Sequence, residues 1–220
     1  MAATPKKSNW GGARPGAGRK RFSNELPHHA REKFDKRSPV LVTVAVGADG
    51  PNLRDPRWYP VIESVLRVVA DDADAPICEF VALRDRLCFL VDAASSKALT
   101  HVISSLIIRL ARRLNSATER SGRLFADRYM ARLLPNADAV AEARALIRDG
   151  HRNALRAQLA NSKMAPSKRE AAQAIVNNKA WVDPCSSRAP RDDGEAWPAP
   201  ICKLLRDGAD VRKASKTRKA

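Results

Sequence analysis

One stretch constrains the fold before any other. Leu99, Val102, Ile103, Leu106, Leu110 and Leu114 recur at spacings of three, four and seven, which an amphipathic helix gathers into one face. Ser95 and Ser96 stand just ahead of it and offer side-chain oxygens for an N-cap. A helix of this length with one apolar stripe needs an apolar surface to lie on. Off that stripe, Arg109, Arg112, Arg113 and Arg120 lie at i, i+3, i+4 and i+11 and form a second, basic stripe. An ordinary solvated face would look the same, but no acid interrupts this one before Glu119. That favours a face that meets phosphate.

The surface under the helix is supplied by β-rich segments. Val40 to Val46 is β-branched and bounded by Pro39 and Gly47, and predicts a strand. Tyr59 to Ala70 has apolar residues at 61, 62, 65, 66, 68 and 69, a helix buried over much of its surface. Ile77–Leu83 and Leu87–Ala93 flank Arg84-Asp85-Arg86 as a hairpin, and Gly122–Arg132 is strand or extended. A helix follows from Asp138, with Val140, Ala143, Ile147 and Ala154 on one face, and another from Lys163. The order β-α-β-β-α-β-α predicts an α+β domain, an antiparallel sheet with helices on one face. Its other face would be left open as a platform for nucleic acid. The expected divisions are a disordered Gly/Arg/Pro leader (1–37), the α+β domain (38–160), a C-terminal helix with a Pro-rich extension (161–202) and a basic tail (203–220).

Charge indicates the partner. The net charge is +16, and residues 1–38 carry 10 Lys+Arg against 3 acids while residues 203–220 carry 7 against 2. Two basic arms flank a nearly balanced body, as expected of a chain that tracks phosphates. In the leader, Gly11–Lys20 reads GGARPGAGRK. Its glycines let the backbone approach a groove, and Arg14, Arg19, Lys20 and Arg21 can enter a minor groove or straddle phosphates. Arg-Gly segments also bind RNA, so RNA is a second candidate partner. No run of 18 apolar residues and no signal peptide is present, so a soluble cytoplasmic protein without a membrane partner is expected. Cys78, Cys88, Cys185 and Cys202 show no CxxC and no zinc-finger spacing, and are expected as buried thiols. His28, His29, His101 and His151 form no His-x-His pair.

Several strings, taken in order, resemble one family, the REP-associated tyrosine transposases, a branch of the single-tyrosine (HUH-type) transposases of mobile elements in bacteria. GGARPGAGRK is similar to its leader and VLVTVAV to its first strand. Ser105–Asn115 is similar to the helix after its active-site strand, and GRLFADRYMAR (Gly122–Arg132) to its G-x-x-x-A-D-R-Y-H-A-R string. Trp181–Ser187 (WVDPCSS) resembles W-x-D-P-x-S-S, and Leu204–Gly208 resembles L-L-R-x-G. The resemblance implies a ferredoxin-like transposase palm, a DNA partner that is single-stranded or a hairpin, and cleavage chemistry. That chemistry uses a His-x-His pair on a strand to hold magnesium or manganese at the scissile phosphate. A helix tyrosine attacks the phosphorus and forms a covalent intermediate.

This chain departs from the pattern at both halves of that centre. The His pair aligns with Arg86 and Cys88, and the nucleophile falls near Leu146. Arginine has no lone pair for a metal, and cysteine is a soft ligand. Of the two tyrosines, Tyr59 and Tyr129, the latter belongs to the D-R-Y string, where the family's tyrosine is not the usual nucleophile; Met130 follows where the family has His. The expectation is a transposase-like DNA-binding protein with no cofactor and no strand cleavage. It would hold DNA on the open sheet through Arg109, Arg112, Arg113, Arg123, Arg128 and Arg132, with Arg86 gripping a phosphate directly. Two alternatives remain: a transposase or endonuclease using Tyr129 with a non-standard metal site, such as Asp85, Asp92 and Asp127, or a regulatory protein whose tails alone bind nucleic acid. The oligomeric state and the target sequence stay open.

Overall fold

In the computed structural model, residues 32–126, 128–160, 164–189 and 197–207 are described. Nine elements follow in order: β1 (Ser38–Ala45), α1 (Tyr59–Ala70), β2 (Ile77–Ala82), β3 (Arg86–Ala93), α2 (Ser96–Ala117), β4 (Met130–Leu133), α3 (Ala137–Ala160), α4 (Pro166–Asn177) and α5 (Lys203–Asp207). The four strands form one sheet in the order β2-β3-β1-β4, and every pairing is antiparallel. β1 and β2 run parallel with β3 between them, joined by α1, which is the split βαβ of a ferredoxin-like sheet. The α+β class and the antiparallel sheet are as the sequence predicts.

Alternation sorts the sheet into two faces. Val40, Val42 and Val44 of β1, Leu87, Phe89 and Val91 of β3, and Phe80 and Ala82 of β2 meet α1 and α2 in the larger core. The stripe of α2 buries as its spacing predicts, and Leu106, Leu110 and Leu114 are fully enclosed. Ser95 caps this helix by accepting the Ala98 N–H (3.2 Å). Ser96 does other work. Its hydroxyl accepts from the Phe34 N–H and donates to the Phe34 carbonyl, tying the approach to β1 onto the start of α2. At its C-terminal end, α2 closes with the Thr118 N–H on the Leu114 carbonyl, and Glu119 follows in the left-handed region at φ 51°.

The opposite face carries a second, smaller core, so the helices are not confined to one side. Leu41, Val81, Cys88 and Leu90 are buried there with Val140, Ala143 and Ile147 of α3 and Leu205 of α5. α3 packs on β2 and β3, because the turn after β4 starts it beside Pro39, whose carbonyl takes the Leu134 N–H. The strip above β1 and β4 stays open: Ala45, Met130 and Arg132 are exposed.

Polar contacts strap the C-terminal segment to this sheet. The Ala82 N–H donates to the Cys185 carbonyl and the Ser187 N–H to the Phe80 carbonyl, so residues 185–187 cover the β2 edge. Arg54 meets Asp183 with two bonds (2.9 and 2.8 Å) and donates a third to the Ala82 carbonyl (2.7 Å), with both side chains nearly buried. Further on, the buried Asp92 carboxylate accepts the N–H groups of Ile201 (2.7 Å) and Cys202 (2.6 Å). Arg144 then links Glu79 (2.7 Å) to the Leu205 carbonyl (2.7 Å). Residues 203–207, which composition assigns to the basic tail, thus form a helix with Leu205 sealed beneath it. No helix among the described residues is long and apolar enough to cross a membrane.

Candidate nucleic-acid interface

β3 sets the centre of the site. Arg86 and Cys88 are two residues apart on it and so share a face, the one α3 partly covers. Thr43 of β1 pairs with both Cys88 and Met130, and its Oγ1 lies 3.8 Å from Cys88 Sγ. A row of Cys88, Thr43 and Met130 therefore crosses three strands, with Arg86 beyond it at the hairpin end and Arg132 at the other. Leu146, half-exposed on α3, lies one turn before Gly150, which sits against Leu83 of the same hairpin. Arg86 and Cys88 thus share one sheet face, and Leu146 lies on the helix that partly covers it.

Their chemistry does not fit a divalent metal. Cys88 is 2% exposed, and burial pushes its thiol up and keeps the proton on sulfur, whereas a metal ligand must be thiolate. Arg86 stays cationic: Asp85 pairs with it through Nε (3.0 Å) and Nη2 (2.8 Å), which raises the guanidinium further and lowers the Asp85 carboxyl. Asp85 and Asp92 lie at opposite ends of β3, roughly 23 Å apart at about 3.3 Å per residue. Asp92 is engaged by backbone as described, and Asp127 lies outside the described residues. Among those described, no three His, Cys, Asp or Glu side chains cluster to hold a metal.

Tyr129 stands on the wrong side for the Arg86 centre. It is buried in the α1/α2 core at 6% exposure, and its hydroxyl is 3.1 Å from Thr100 Oγ1 on α2. The thickness of the sheet separates its oxygen from Arg86 and Cys88.

The arginines predicted to form one interface fall on two sides. Arg132 is exposed on the half-open face and touches Glu142 at 3.2 Å. Arg128 is exposed between Ala126, bonded to Ala45, and Met130, so it stands near the Arg86 end; Arg123 is exposed in the preceding loop. Arg109, Arg112 and Arg113 are exposed on the outer side of α2, beyond the other core. Arg14, Arg19, Lys20 and Arg21 lie outside the described residues.

Sequence reasoning missed a polar cluster beside the hairpin. His151 of α3 lies against Trp181 (5.8 Å between rings), and Arg152 donates to the carbonyls of Asn178 and Trp181. Burial first, and then Arg54, depress the His151 pKa. The available signal was the WVDPCSS string itself, the only acid of which is Asp183.

No family model matches the chain, and no curated protein does. Among solved structures, a REP-associated tyrosine transposase bound to a REP hairpin is 14% identical, with a TM-score of 0.46, over 57% of this chain and 72% of that one. A transposase-like protein from Deinococcus radiodurans R1 is also 14% identical, with a TM-score of 0.39, over 54% and 95%. At that distance neither likeness bears on the chemistry of this chain.

Proposed function

We propose that this chain is a transposase-like DNA-binding protein that holds single-stranded or hairpin DNA without cutting it. The observation that carries the reading is the half-open sheet face on which Arg86 stands two residues from the buried Cys88. A cation with five donors occupies the place where the resemblance implies a metal ligand. A guanidinium can bind a phosphate oxygen directly, so the position changes from polarising a phosphate to gripping one. Arg86 and Arg132 lie about 17 Å apart by strand spacing and rise, a diagonal long enough to meet several consecutive phosphates of one strand. Magnesium or manganese has no part in this reading, since the residues at the site do not suit either ion. The preference for hairpins rests on the resemblance of the sequence strings.

Asp85 does not stand in the way. Its pair with Arg86 is half-exposed on both sides, and such surface pairs contribute roughly 0–1 kcal/mol, so a phosphate can take the guanidinium over. The test is fluorescence anisotropy of a labelled hairpin against salt. Wild type should lose affinity steeply as salt rises, and Arg86→Ala should weaken binding. Unchanged affinity in Arg86→Ala would remove the sheet face from the interface.

The reading with Tyr129 as nucleophile is disfavoured by its burial and its contact with Thr100. A purely tail-driven binder remains a distinct reading, and deletion of residues 1–31 and 208–220, which leaves β1 and the Phe34–Ser96 tie intact, separates the two. The folded domain alone should retain salt-dependent binding.

A further inference from the structure

On the outer side of α1 and α2 lies a groove of about 370 Å³, lined by Ser64, Val65, Val68, Arg109, Arg112, Arg113 and Ser116. Every polar side chain in that lining can donate to an anion, and none is a carboxylate. Among the described residues the side chains of the three arginines make one hydrogen bond, Arg109 Nε to Ser105 Oγ at 3.3 Å, and no ion pair, so their charge is not spent there. Val68 is 69% exposed at the rim, whereas Ile62, Val65, Leu66 and Val69 of the same helix are buried. The groove lies across the sheet from Arg86 and Arg132, so a strand seated on one surface leaves the other facing away.

We infer that this groove is a second phosphate-backbone site and that the chain can hold two nucleic-acid segments at once, one on each side of its sheet. The inference rests on the DNA-binding reading above. Arginine and serine are the ordinary donors to phosphate oxygens. The axial rise from Arg109 to Arg113 is about 6 Å at 1.5 Å per residue, on the scale of the step between neighbouring phosphates along one strand. The valines offer an apolar wall for a sugar or base face beside them. An acidic polypeptide is the competing occupant, but the chain's +16 charge favours a polyanion of higher charge density.

The test uses the full chain and two hairpin oligonucleotides, one biotinylated on beads and one fluorescent. Wild type should capture the fluorescent hairpin on the beads. The triple variant Arg109→Gln, Arg112→Gln, Arg113→Gln should bind a single hairpin in anisotropy but fail to bridge two. Val68→Glu, which places a carboxylate in the groove while keeping every arginine, should lose bridging as well. Bridging that persists in both variants overturns the groove site and leaves the DNA-binding reading standing. A wild type that binds no hairpin at all overturns both. Polyglutamate binding that the triple variant loses while bridging persists would overturn the phosphate assignment in favour of an acidic partner.

Discussion

The two faces of the sheet are held by different means. Beneath α1 and α2 lies a continuous apolar core in which Phe80, Phe89, Ile62, Leu66 and Leu106 are fully enclosed. Beneath α3 and α5 the apolar cluster is smaller, and ion pairs and backbone-accepting carboxylates complete the attachment. The first face depends mainly on burial, with Ser96 and Thr100 adding local hydrogen bonds. The second depends on a few pairs that close only when distant segments meet: Arg54 with Asp183, Asp92 with residues 201 and 202, and Glu79 with Arg144. The difference teaches where function can reside. A face covered only in part, and fastened by polar contacts, leaves Arg86, Met130 and Arg132 open to a ligand.

The comparison breaks most visibly at Asp183. Replacing it by Ala leaves the buried Arg54 guanidinium without its partner, a change that costs about 3–5 kcal/mol. Urea unfolding should show this, together with faster proteolysis near residues 181–189. Leu106→Ala in the larger core should cost about 2–5 kcal/mol without exposing the C-terminal segment to protease. Equal proteolysis in the two variants would mean the faces do not differ as described.

Binding changes should be smaller. Arg86→Ala removes a charge-assisted contact of about 1.5–3 kcal/mol, which anisotropy would read as roughly 10- to 150-fold weaker hairpin binding. Asp85→Asn should act in the opposite direction, because it frees the guanidinium from a pair contributing at most about 1 kcal/mol. Its hairpin affinity should rise by up to about fivefold. Weaker binding in Asp85→Asn would contradict the competition between carboxylate and phosphate.

The smallest effect concerns pH. His151 has a folded pKa below its ordinary value, so the folded chain takes up this proton later than the unfolded one. Its contribution to stability is present above about pH 6.5 and is lost as the pH falls through the lower folded value. The melting temperature should therefore drop between pH 7 and 5, and His151→Gln should flatten that drop. Asp85, Asp55 and Asp149, whose pKa values are also lowered, act only below about pH 4.

Much of the fold was legible in local pattern. The stripe from Leu99 to Leu114, the run from Val40 to Val46 and the hairpin around Arg84-Asp85-Arg86 each specify their element by periodicity, and the structure places them so. Val68 misled, since its apolar character reads as core while it stands on the rim of a groove. The second helix layer was not legible, because Val140, Ala143 and Ile147 show which side of α3 is apolar but not which sheet face it meets. The site was half legible: period two predicts that Arg86 and Cys88 share a face. Tyr129, by contrast, reads as an available phenol until its packing against α2 is seen. The partition of the arginines between two sides of the sheet follows from topology, which no local spacing records.

The most direct measurement is a covalent-adduct assay on an end-labelled single-stranded hairpin with magnesium or manganese, run on denaturing and native gels in parallel. The account predicts a shifted complex on the native gel and neither adduct nor cleavage product on the denaturing one. A denaturant-resistant band that disappears in Tyr129→Phe would contradict it, and would show that the phenol beside Thr100 reaches DNA after all.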